Sequence, residues 1–186
     1  MIRFLSILSA IAMVMNVSRG ENAMAGMVLF DFADAGAMRG WEVENDVVMG
    51  GRSKSAVAHD AAGHLVFNGE VSLENDGGFA SIQNHFDPID VSKYTHAVMR
   101  LRGDGKSYRF IVEAEKNARH YYIAEFSTNG EWQEIKIPLR TMVPMRRGDR
   151  LEIPDYPGKT MAQARFMVAN GRAEAFRLEV ASIKLE

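Results

Sequence analysis

Along His96–Arg102, the residues Ala97, Met99 and Leu101 alternate with His96, Val98, Arg100 and Arg102. This is the two-residue period of a strand with one face in a core. The same reading places Phe110, Val112 and Ala114 on the inner side of a strand over Tyr108–Glu115. Gly103-Asp104-Gly105 lies between these two runs, and Asn129-Gly130 lies between His120–Ser127 and Glu131–Ile137. Asp-Gly and Asn-Gly favour two-residue hairpin turns, so the pattern predicts two consecutive hairpins. Upstream, Met27–Phe32, Trp41–Glu44, Ser55–His59, His64–Phe67 and Phe79–Phe86 read as further strands, with a turn at Ala61-Ala62-Gly63. Arg165–Ala169 and Phe176–Leu185 close the chain. The apolar positions Phe176, Leu178 and Val180 change parity before Ile183 and Leu185, which predicts a β-bulge. Pro138, Pro144, Pro154 and Pro157 exclude a central strand and predict an irregular crossover loop over Arg140–Tyr156.

Roughly ten short strands with Gly and Pro corners, and no helical period over three turns, define an all-β chain. Its 186 residues suit one domain, a β-sandwich or jelly roll. A formal charge of −2 supplies no basic field for nucleic acid. At the amino end, Arg3, the apolar run Phe4–Val17 and Ala23-Met24-Ala25 have the order of a secretory signal peptide. The expectation is a leader over 1–25, a mature domain over 26–186 without a transmembrane span, and a periplasmic or extracellular location. The absence of cysteine excludes disulfides and thiolate chemistry.

Two glycine-bearing runs dominate the first half. Asn45-Asp46-Val47-Val48-Met49-Gly50-Gly51-Arg52-Ser53-Lys54-Ser55 is followed by Phe67–Ser81, which contains Glu74-Asn75-Asp76-Gly77-Gly78. Adjacent glycines permit positive φ and close backbone approach. The Gly51–Ser55 run lacks the spacing of a phosphate-binding loop and reads as a turn into a strand. Amides at Gly50-Gly51 could hold a carboxylate, that of Asp46 itself or an external one. Asp46, Glu74, Asp76 and Asp104 suit either calcium ligation or turn capping. Five scattered histidines show no metal-ligand spacing, and no metal or cofactor is expected. Trp41 and Trp132 read as core. One of the adjacent Tyr121 and Tyr122 must face outward on a regular strand. Arg146, Arg147 and Arg150 beside Tyr156 form either a solvated loop or a surface for an acidic partner. The candidate binding residues are therefore Asp46, Met49, Gly50, Gly51, Ser53, Asn75, Gly77, Gly78, Asp104, Tyr121 and Tyr122.

Taken together, Trp41, Met49-Gly50-Gly51-Arg52-Ser53, Asn75-Asp76-Gly77-Gly78-Phe79-Ala80-Ser81, Asp90–Tyr94, Arg100–Tyr108, Trp132, Ile137-Pro138 and Phe176–Glu179 resemble the complex I intermediate-associated protein family. The resemblance implies a galactose-binding-like β-sandwich and a non-catalytic role. Mitochondrial members of that family act as assembly chaperones for respiratory NADH:ubiquinone oxidoreductase, so a protein partner, including respiratory-complex subunits, is implied. A carbohydrate-binding module using Tyr121 or Tyr122, Trp132 and loop acids is the alternative. No nucleophile–base pair supports an enzyme.

Overall fold

The computed structural model describes residues 26–186; the predicted leader lies outside the described residues. Among the described residues there are thirteen strands: β1 Met27–Asp31, β2 Trp41–Val43, β3 Lys54–His59, β4 Leu65–Val71, β5 Ala80–Asp90, β6 His96–Gly103, β7 Ser107–Glu113, β8 Tyr121–Ser127, β9 Gln133–Pro138, β10 Val143–Arg146, β11 Asp149–Arg150, β12 Thr160–Val168 and β13 Glu174–Leu185. One sheet runs β3-β4-β13-β6-β9, with β1 also paired to β13; the other runs β11-β10-β8-β7-β12-β5-β2. Their facing sides bury Phe32, Trp41, Leu65, Phe67, Ile82, Met99, Leu101, Tyr108, Phe110, Phe166, Leu178 and Val180 in one core. The single-domain all-β sandwich expected from the sequence is what forms.

The sandwich is made from ribbons that fold over. In the first sheet β6 pairs with β9, and in the second β7 pairs with β8. The chain therefore runs β6–β7 out and β8–β9 back as one long antiparallel ribbon. A second ribbon is built alike: β4 pairs with β13 and β5 with β12. The β2–β3 pair lies along it, β2 against β5 and β3 against β4. Five connections thus cross between sheets at one end of the sandwich, and each contains a glycine with positive φ: Gly50, Gly78, Gly105, Gly130 and Gly171.

This corrects the two predicted hairpins. The strands flanking Gly103-Asp104-Gly105 and Asn129-Gly130 lie in different sheets, so these dipeptides turn the ribbon's corner. The two corners pack together: the Gly105 amide donates to Thr128 Oγ1 at 3.1 Å, and Thr128 N donates to Lys106 O at 3.0 Å. The hairpin itself closes at the other end, between β7 and β8.

The proline-rich segment is also more regular than its sequence indicates. β10 pairs with β8 and bears only the two-residue β11 on its outer side, so Pro144 sits near a sheet margin, where a missing N–H is tolerated. β12 begins five residues before the predicted start. Met161, Ala162, Gln163 and Ala164 are all buried, and a register shift between Met161 and Gln163 erases the alternation there. The bulge expected in the last strand is found, with a register shift between Val180 and Ser182.

Candidate functional site

The two glycine runs of the first half are neighbouring sheet-to-sheet corners, joined by one carboxylate. Asp46 is fully buried. Its Oδ1 accepts the Ser53 amide at 2.9 Å. Its Oδ2 accepts the Ser53 hydroxyl at 2.5 Å, the Gly78 amide at 2.7 Å and the Phe79 amide at 3.2 Å. Burial alone would raise this carboxyl's pKa, but the hydrogen bonds from Ser53, Gly78 and Phe79 outweigh it and hold the pKa below its ordinary value. The carboxylate is thus internal, as one of the two readings allowed. Its donors are not the Gly50 and Gly51 amides, however, which bond to the Val47 and Asp46 carbonyls.

Gly51 and Gly77 exist to let this carboxylate in. A Cβ on Gly51 would sit 2.4 Å from Asp46 Cγ, and one on Gly77 would sit 2.7 Å from Asp46 Oδ2. Asn45 extends the clamp across the sheets: its Oδ1 accepts Ser55 Oγ at 2.8 Å and Ser81 N at 3.2 Å. At the rim, Asn75 Nδ2 donates to Gly50 O at 3.2 Å and Arg52 pairs with Glu74 at 3.2 Å.

Having been anchored this way, a one-turn 3-10 helix over Asp46–Met49 turns its other side chains outward. Val47, Val48 and Met49 are 59%, 70% and 68% exposed. Leu73 on the adjoining corner is also exposed. Three consecutive apolar side chains are thus left bare on a well-anchored turn. Of these, only Met49 was a candidate from sequence. Val47-Val48-Met49, too short for a strand and set between an acid and two glycines, was the available signal.

The Asp104 carboxylate is likewise occupied by its own chain. It accepts Lys106 Nζ at 2.6 Å, the Tyr108 hydroxyl at 2.7 Å and the Arg177 amide at 3.0 Å. Burial opposes its ionisation, but these partners lower its pKa. Among the described residues no hydrogen bond or ion pair joins the Asp104 corner to the Asp46 clamp, although both lie at the same end of the sandwich. No group of three His, Cys, Asp or Glu side chains is placed to hold a metal ion among the described residues.

Tyr121 and Tyr122 sit elsewhere. β7 starts beside the Asp104 corner and β8 starts where β7 ends, so seven residues of strand, about 20 Å, separate the tyrosines from the glycine corners. Tyr122 is buried against Tyr156, with ring centroids 4.9 Å apart, whereas Tyr121 is partly exposed. One tyrosine inward and one outward is the expected alternation. Trp41 is in the core, but Trp132 is not. It lies half-buried on the outside of the first sheet, with the Arg100 and Arg102 guanidiniums 5.7 and 5.4 Å from its ring and His64 packed beside it.

The outer face of the second sheet carries a polar row that sequence reading missed. Arg165 bonds Ser81 Oγ at 2.8 Å and pairs with Glu44 at 3.2 Å, while Gln163 reaches Gln83 at 3.3 Å and His85 at 3.1 Å. Gln163 Oε1 and Arg165 Nε are buried without a partner, which is uncommon for polar atoms removed from solvent.

The fold is that of a carbohydrate-binding-module type of β-sandwich. The family 11 module of a cellulosomal cellulase of Clostridium thermocellum superposes with a TM-score of 0.64 at 18% identity, covering 88% of this chain and 95% of that one. The Clostridium thermocellum family 11 module in complex with a beta-1,3-1,4-mixed-linked tetrasaccharide gives 0.62 at 16% identity, covering 86% and 94%. Residues 30–180 match the model of the Complex I intermediate-associated protein 30 family, and the chain belongs to that family. The mitochondrial Complex I intermediate-associated protein 30 of Drosophila melanogaster is 29% identical over an alignment spanning 60% of this chain and 45% of the fly protein. The chain therefore matches about half the length of that relative.

Proposed function

We propose that this protein is a non-enzymatic binding module that acts through protein–protein contact, with Val47-Val48-Met49 as its docking element. The observation that carries the reading is the exposure of those three side chains on a turn held by a buried, fully hydrogen-bonded Asp46. A rigid apolar tip meets a partner without an ordering cost on its own side. Membership of the family supports respiratory-complex subunits as the partner class. The leader's pattern supports export, whereas the fly relative is mitochondrial by name; the subunits reached would be those facing the compartment the module occupies. A photo-crosslinker at Val48 in the cell tests this. Transfer to a respiratory membrane subunit, lost on Met49→Ser, is expected. Labelling that ignores the substitution would remove the tip from the reading.

A second reading, recognition of a carbohydrate, is favoured by one observation: the polar row around Gln163 and Arg165 with its unpartnered atoms, flanked by outward-facing Tyr121 on the same sheet. Calorimetric titration with a mixed-linked glucan tetrasaccharide separates the readings. Binding that Arg165→Met abolishes would favour the sugar.

A further inference from the structure

The sandwich end opposite the glycine corners carries a different surface. Arg119 and His120 of the β7–β8 connection, with Tyr121 at the start of β8, face Arg146 and Arg147 of the β10–β11 hairpin across a cleft of about 350 Å³. His120 is shared with a second cleft of about 570 Å³ that continues past Glu115 to Pro157 and Lys159. Arg140 does not line either cleft but lies against Gly158, between the lining residues Pro157 and Lys159, its Nε 3.6 Å from where a Cβ on Gly158 would be.

Many cations of the domain are matched with acids, among them Arg52 with Glu74, Arg102 and Arg177 with Glu179, Arg165 with Glu44 and Arg172 with Glu174, and so are Lys116 and Arg150 beside the clefts, with Asp87 and Asp155. Among the described residues no such pair is formed by Arg119, Arg140, Arg146, Arg147 or Lys159. Glu115 is the one acid among the lining residues of the two clefts. The linings thus hold Arg119, Arg146, Arg147 and Lys159 against one acid, a local excess of positive charge in a chain of formal charge −2.

The hairpin tip adds a second observation. Arg147 and Gly148 have φ of +53° and +91°, two consecutive left-handed residues between the paired strands. Such turns favour Asn, Asp or Gly at the first position, and a long side chain there is uncommon. A tip shaped for folding alone has no use for arginine.

We propose that this double cleft takes an acidic segment of a protein partner, its carboxylates spaced along the line from Arg146–Arg147 through Arg119 to Lys159. A compact anion is held by donors that converge on one point, as in a backbone nest. Here the cations are strung along two joined clefts and suit an extended chain of negative charges. His120, whose Nε2 lies 3.0 Å from the hydroxyl of buried Tyr122, is a fixed point between the two halves. The site is independent of the apolar tip and lies at the other end of the domain.

Calorimetry of the whole protein with three probes tests the proposal: an Asp-rich peptide, inorganic phosphate, and phosphatidylglycerol vesicles. The peptide is expected to bind, weaken with added salt as screening shortens to about 8 Å, and lose about tenfold in affinity in Arg146→Glu/Arg147→Glu. Val48→Ser/Met49→Ser should bind it normally. Arg147→Asn, which suits the left-handed turn, should raise thermal stability while weakening the peptide, a split that a structural arginine does not produce. Equal peptide binding by the double Glu variant overturns the proposal. So does phosphate binding as tight as the peptide, or binding to vesicles alone.

Discussion

The Gly78 amide donates to Asp46 Oδ2 at 2.7 Å across thirty-two residues of sequence. The bond ties the corner between β2 and β3 to the corner between β4 and β5. These two crossings are where the edge pair β2–β3 is fastened to the central ribbon, so a local contact fixes how the two sheets close at this end. It also fixes the direction in which Val47, Val48 and Met49 point.

Replacing Asp46 by Asn should therefore destabilise the whole domain. The amide group turns two hydrogens toward a ring of donors, and the Ser53, Gly78 and Phe79 amides lose a charged acceptor. Hydrogen bonds to charged groups contribute about 1.5–3 kcal/mol each, and leaving buried donors unpaired adds to that. A loss of about 3 kcal/mol or more is expected, read as a fall in the urea midpoint at unchanged slope. An unchanged midpoint would mean that the corner relaxes without the carboxylate.

Acid should act through the same group. The folded-state pKa of Asp46 is below its ordinary 3.8, so the unfolded chain binds more protons as pH falls. Asp104 and Glu179 are lowered as well, each against an opposing burial effect, by Lys106, Tyr108 and Arg177 for the first and by Arg177 and Arg102 for the second. Their contribution is complete above the unfolded value, near pH 4, and disappears as pH drops through the folded values. Urea midpoints measured downward from pH 5 should decline, and the decline should be shallower in Asp46→Asn. Identical slopes would assign the acid sensitivity to other carboxylates.

The glycines separate two physical causes. Gly51 has ordinary φ, but its Cβ would collide with Asp46; Gly130 has φ of +90° and open space around it. Gly130→Ala should cost about 1 kcal/mol from backbone strain alone. Gly51→Ala should cost more, about 2–3 kcal/mol from overpacking, and its cost should shrink once Asp46 is Gly, which removes the Cβ, Cγ and Oδ1 that the new methyl would meet. Additive costs in that double-mutant cycle would show that the clash is relieved elsewhere.

Strand identity was legible wherever one face met the core and the other met solvent, as in His96–Arg102. Sheet membership was not. Asp104-Gly105 and Asn129-Gly130 supply positive φ at the tight turn of a hairpin and at a ribbon's corner alike, and the choice depends on partners such as Thr128, more than twenty residues away from Gly105. Asp46 could be read as a buried anion beside glycines, because small residues and an acid in one run imply close approach. Its donors at Gly78 and Phe79 are set by the pairing of β4 with β3 and β5 with β2, which no local pattern encodes. Trp132 was misread because its alternation is that of a strand end, where a corner lays the ring over Arg100 and Arg102 rather than between the sheets.

The clamp and the tip it displays should be separable. Val47→Ser/Met49→Ser, with the photo-crosslinker kept at position 48, removes side chains that touch mainly solvent, so its stability should remain within about 0.5 kcal/mol of the parent, while crosslinking to a respiratory subunit is lost. Asp46→Asn should lose the same crosslink together with stability, because the turn no longer holds its orientation. Binding that survives Asp46→Asn but not the double Ser substitution would show that the apolar residues act without being held. Binding that survives both would place the partner on another surface of the sandwich. Measuring stability and crosslinking on the same two variants separates presentation from contact, since only the first depends on the carboxylate that joins the two corners.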